Sequence, residues 1–86
     1  MYMVFHHAAK ELRLLGEGVL EVDFVNGERR RYDMKVLIPK IPCMKRLIEE
    51  EDFFQKGVLS PAGWGIRWDD EVDTDIEEIY VNGVAI

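Results

Sequence analysis

An Asn26-Gly27 pair between two alternating runs, over residues 19–34, constrains this fold more than any other feature of the chain. Asn-Gly in that setting is the strongest short-range signal for a β-hairpin. The length of the turn then decides which side chains share a face. A two-residue turn sets Val22 opposite Arg31 and Phe24 opposite Arg29, mixing apolar and basic groups. A three-residue loop over 25–27, with Gly27 in the left-handed region, moves the pairing by one. Glu21 then faces Arg31, Asp23 faces Arg29 and Leu20 faces Tyr32. This register separates a charge-paired outer face from an apolar inner face, and it is the one expected. Exposed pairs of this kind contribute about 0.2–1 kcal/mol each, so they select register more than they stabilise.

At 86 residues the chain supports one domain with one modest core, expected to span 1–86. Its formal net charge of -6 argues against generic nucleic-acid binding, which needs a basic face. The one basic run, Arg29-Arg30-Arg31, alternates sides on a strand and has acidic partners across the hairpin. The single cysteine, Cys43, leaves no internal disulfide and points to a reducing compartment. No apolar run approaches the roughly 18–20 residues needed to cross a bilayer. His6, His7, Lys10, Glu11 and Arg13 interrupt any signal-peptide core. The expected location is the cytoplasm.

Residues 1–15 carry weak alternation, with Leu12 and Leu14 on one face of a strand, and Gly16 and Gly18 punctuate a turn before the hairpin. A three-stranded antiparallel meander follows. Pro39 and Pro42 bracket a connector, and Pro42 suits the first position of a helix running to about residue 51. Met44, Leu47 and Ile48 fall on its apolar side. Its glutamates crowd the C-terminal end, against the dipole, so packing must hold it. A second hairpin pairs a strand over 54–59 with one over 64–68, where Trp64, Ile66 and Trp68 alternate with Gly65 and Arg67. Asp73 or Thr74 caps a short C-terminal helix over 75–80. The fold class is α+β, an antiparallel sheet with the two helices on one face.

This order of elements resembles the Domain of Unknown Function 2442 family, small bacterial α+β proteins. The likeness rests on Phe24 before Asn26-Gly27, Tyr32-Asp33, Leu47, Phe53-Phe54, Gly65-Ile66-Arg67-Trp68, the acidic stretch from Asp69 to Asp75, and Ile79-Tyr80. It covers about residues 12–80. The family often has proline or glycine soon after the final tryptophan, where this chain has Asp69-Asp70-Glu71. The resemblance implies an α+β domain, in some members joined to a helix-turn-helix segment, which is not expected here. It also implies a toxin–antitoxin-like pairing with a neighbouring small protein. The family offers no catalytic residue to carry over.

Sites for chemistry are few. The acidic stretch 69–75 fails the calcium-loop pattern, with Thr74 where glycine and Tyr80 where glutamate are required. It reads as a solvated turn leading into a helix, or as an acidic docking surface. His6 and His7 lack the spacing of a zinc site. Cys43 sits at a helix start but has no sequence-near base. The chain is therefore expected to be no enzyme and to carry no cofactor or metal. Trp and Arg are favoured interface anchors, which nominates Trp64, Arg67 and Trp68, with Asp69 and Asp70 beside them, as a partner surface. The expected role is a non-enzymatic interaction module for a protein partner, basic and toxin-like. Two alternatives remain: a small ligand-binding domain or thiol enzyme using Cys43, and a homodimer paired through edge strands.

Overall fold

Asp23 pairs with Arg29, Glu21 with Arg31 and Leu20 with Tyr32 in the computed structural model, which describes residues 7–86. The hairpin therefore takes the three-residue loop expected from the sequence. Phe24 and Glu28 close it, the Phe24 N–H donating to the Glu28 carbonyl at 2.8 Å, and Gly27 sits at φ 93°. Strand β2 (Val19–Phe24) and strand β3 (Arg29–Asp33) form this hairpin, and β1 (Ala9–Gly16) pairs antiparallel with β2. The expected meander is thus present. Its outer face carries rows of alternating charge, Arg13–Glu21–Arg31 and Glu11–Asp23–Arg29. Arg13 adds a diagonal, its two terminal nitrogens 3.0 and 2.9 Å from the Asp23 carboxylate.

The inner face supplies Leu20, Val22, Phe24 and Tyr32 to a single buried cluster. Against them pack Met44, Leu47 and Phe54 from the helical segment and Ile76 and Ile79 from the C-terminal helix. Side chains this well enclosed contribute roughly 1.5–3 kcal/mol each, so this cluster is the main source of stability.

The helix expected over 42–51 is divided. A 3-10 turn covers Pro42–Lys45, α1 covers Arg46–Glu49, and α2 covers Glu51–Phe54 after an extended Glu50 at φ -126°, ψ 88°. The break has an electrostatic logic. In a continuous helix Glu51 and Asp52 crowd a negative C-terminal end, whereas here they occupy the first turn of α2, where the dipole favours them. Glu51 also accepts the Glu17 N–H at 2.9 Å, tying α2 to the turn between β1 and β2.

Phe54, expected in a strand, instead ends α2 with its ring fully buried. Burial outweighs the β-propensity of an aromatic residue. The second hairpin is shorter than expected, with β4 Val58–Leu59 and β5 Gly65–Arg67. Part of the acidic stretch is a strand rather than a solvated turn. Strand β6 (Asp73–Asp75) pairs with β5 and completes a second, three-stranded sheet. The cap of helix α3 (Ile76–Asn82) moves accordingly, from Asp73 or Thr74 to Asp75, whose carboxylate accepts the Glu77 N–H. A two-residue strand β7 (Val84–Ala85), unforeseen in the sequence, adds to β3 and closes the first sheet in the order β1-β2-β3-β7. No helix among the described residues is long and apolar enough to cross a membrane.

Candidate partner surface

The tip of the second hairpin is built to hold Trp64 outward. Ser60 Oγ accepts the N–H groups of Trp64 and Gly65 at 3.1 and 3.2 Å, a local side-chain clamp on the turn. Gly63 takes φ +73°, and a Cβ there lies 2.2 Å from the Ala9 carbonyl oxygen. Only glycine lets this loop lie so close to β1, where the Ala9 N–H donates to the Gly63 carbonyl at 2.7 Å. The chain then bends into β5, and Trp64 emerges 57% exposed instead of joining Ile66 and Trp68 inside.

The outer face of the second sheet follows from its register. Val58 lies beside Arg67 and Arg67 beside Asp73, while Gly65 lies beside Asp75. Val58 is 60% exposed. Arg67 pairs with Asp70, three residues on, at an exposed corner where Asp70 is 89% accessible. That face thus holds Val58, one arginine and the carboxylates of Asp70, Asp73 and Asp75, and Trp64 lines a groove with Asp73 and Asp75 at its edge.

Arg46 joins this region to a second acidic run. Its guanidinium reaches Asp69 at 2.9 Å and Glu50 at 3.2 Å, and its Cζ stands 3.8 Å over the Phe53 ring. Asp69 accepts the Glu71 and Val72 N–H groups at 2.9 and 2.8 Å. Those backbone donors, with Arg46 beside them, hold the Asp69 carboxyl below the usual range. Its work is local, shaping the turn between β5 and β6.

Of the five residues nominated from the sequence, Trp64, Arg67 and Asp70 are exposed and Asp69 is half-buried in the turn. Trp68 lies elsewhere, in the core, 8% exposed. Its indole N–H donates to the Phe54 carbonyl at 2.7 Å, its ring stacks on Phe54 at 6.0 Å, and Gly57 leaves the space it fills. Strict alternation put Trp64 and Trp68 on one face; Trp64 lies exposed at the hairpin tip, whereas Trp68, at the other end of β5, is covered by Phe54 and Gly57. Val58 was not nominated, and Asp73 and Asp75 were read only within the acidic stretch 69–75 and not as a strand, because the signal for β6 is three residues long and two of them are aspartates, which strands disfavour.

Two further groups of polar residues have structural duties. His7 stacks on Tyr80 at 3.5 Å and its Nδ1 meets Glu77 at 2.9 Å, while Tyr80 donates to Glu28, which also pairs with Arg30. They fasten the hairpin loop to α3. Cys43 is half-buried, with its Sγ 3.5 Å from the Glu71 carbonyl. Three or more metal-ligating side chains gather nowhere among the described residues. His6 lies outside them.

A family model described as "Protein of unknown function (DUF2442)" matches residues 9–85, nearly the whole chain. Searches among curated proteins and among solved structures find no match.

Proposed function

The chain belongs to the DUF2442 family, and we propose that it acts as a non-enzymatic protein-interaction module that docks a basic, toxin-like protein on the outer face of its second sheet. One observation carries this reading. Val58, more than half exposed, shares that face with Arg67 and the carboxylates of Asp70, Asp73 and Asp75, and Trp64, also more than half exposed, lines a groove with Asp73 and Asp75 at its edge. Exposed aromatic and arginine anchors rimmed by charge are what interface cores and rims are made of. The surplus of carboxylates there favours a cationic partner and speeds its approach. The test is affinity capture from the native host at low and high salt, with Trp64→Ala and Asp70→Lys variants in parallel. A stoichiometric partner lost with either variant and weakened by salt supports docking here. A partner indifferent to both variants rules this face out.

A second reading, the edge-strand homodimer, is favoured by β7. This short strand ends the first sheet, with Val84 65% and Ile86 51% exposed. Sedimentation at rising concentration tests it, and a species that stays monomeric removes it.

A further inference from the structure

We propose that β6 is a docking edge which takes up an extended strand of the partner, antiparallel and with lysine or arginine at alternate positions. This rests on the interaction role proposed above and specifies how the partner is held. The hydrogen-bonding parity of the sheet points to it. The Ile76 N–H donates to the Trp64 carbonyl at 3.0 Å and the Trp68 N–H to the Val72 carbonyl at 2.9 Å. With Ile66 opposite Thr74 between them, the alternation of an antiparallel ladder turns Thr74 toward β5. The Asp73 N–H and C=O and the Asp75 N–H therefore point away from the sheet. The Asp75 carbonyl belongs to the first turn of α3.

No hydrogen bond among the described residues occupies those outward groups of Asp73 and Asp75. An open groove of about 420 Å³, lined by Trp64, Gly65, Asp73, Thr74 and Asp75, runs beside them. Such an edge is a template for strand addition, in which main-chain bonds supply affinity and alternate side chains supply specificity. The two aspartates stand on the same side of β6, so the residues opposite them are best filled by cations.

A second copy of this chain is a poor occupant. Its only arginines at alternate strand positions that face one side together, Arg29 and Arg31, lie on β3, inside the first sheet, and are bonded to Asp23 and Glu21. The terminal strand β7, Val84–Ala85, carries no cation. A different, basic protein fits.

The probe is a short synthetic peptide alternating lysine and valine, blocked at both ends, titrated into the isotope-labelled chain and followed by amide NMR. Antiparallel addition places the lysines in the hydrogen-bonded positions opposite Asp73 and Asp75. The expected result is amide shifts centred on 73–75, and a loss of affinity of about tenfold or more when the lysine amides are N-methylated but not the valine amides. Asp73→Pro removes one outward donor without taking a ladder bond from β5, and it lowers affinity likewise while leaving the spectrum of the first sheet unchanged. Equal binding by the two methylated peptides, shifts away from β6, or no shift at millimolar peptide overturns strand addition. A natural partner lost with Trp64→Ala but held normally by Asp73→Pro also overturns it, and leaves the docking face standing. A partner indifferent to all these variants overturns both.

Discussion

Trp68 donates its indole N–H to the Phe54 carbonyl at 2.7 Å, joining the end of α2 to the residue that follows strand β5. This bond, with the stacked rings and the gap left by Gly57, makes the second sheet and the helical segment one packed unit. Trp68→Phe keeps an aromatic ring but removes that donor, leaving the carbonyl only the Gly57 N–H at 3.3 Å, an expected loss of about 0.5–1.5 kcal/mol. Trp68→Ala adds a cavity, for about 3–5 kcal/mol. Urea unfolding measures both, and a Trp68→Phe chain as stable as the parent means that the hydrogen bond contributes nothing.

Two glycines with positive φ are expected to respond differently to alanine. At Gly27 the space is open, so Gly27→Ala costs only the left-handed strain, about 1–2 kcal/mol. At Gly63 the new methyl meets the Ala9 carbonyl oxygen at 2.2 Å. That variant must lose more than Gly27→Ala, and amide exchange at Ala9 must quicken as its bond to Gly63 opens. Equal unfolding midpoints contradict the close approach.

Acid is expected to weaken the fold through the meander's outer face. The Arg13 and Arg29 guanidiniums hold the Asp23 carboxyl well below the usual range, and Arg31 with Arg13 lowers that of Glu21. A carboxyl depressed in the folded state contributes stability that is complete above its unfolded pKa, about 4. That contribution fades as pH falls from there through the folded value. Asp23→Asn therefore lowers the unfolding midpoint at pH 7 and flattens its dependence between pH 5 and acid. A variant as steeply acid-sensitive as the parent places the effect elsewhere. High salt screens these exposed pairs and reduces the difference.

The sequence was most legible where local chemistry and global packing agreed. The loop over 25–27 could be read because only one register sorts Glu21, Asp23, Arg29 and Arg31 from Leu20 and Tyr32. Helix α3 was clear from its acidic first turn, though its cap lies one or two residues later than expected. Long-range choices were not legible. Nothing local in 42–54 announces that Glu50 turns extended, since the gain lies in where Glu51 and Asp52 then sit. Strand β7 depends wholly on β3 for its bonds. Exposure was legible for Trp64, Arg67 and Asp70, but Trp68 is covered by Phe54 and Gly57, neighbours that only the tertiary fold supplies.

Hydrogen exchange of the chain, alone and with its captured partner, tests the central claim most directly. The predicted result is protection concentrated in residues 64–75, with the Asp73 and Asp75 amides among those slowed, and exchange in the β2–β3 hairpin unchanged. Protection confined to the β3–β7 edge or to α1 and α2, with 64–75 unaltered, contradicts a docking face on the second sheet.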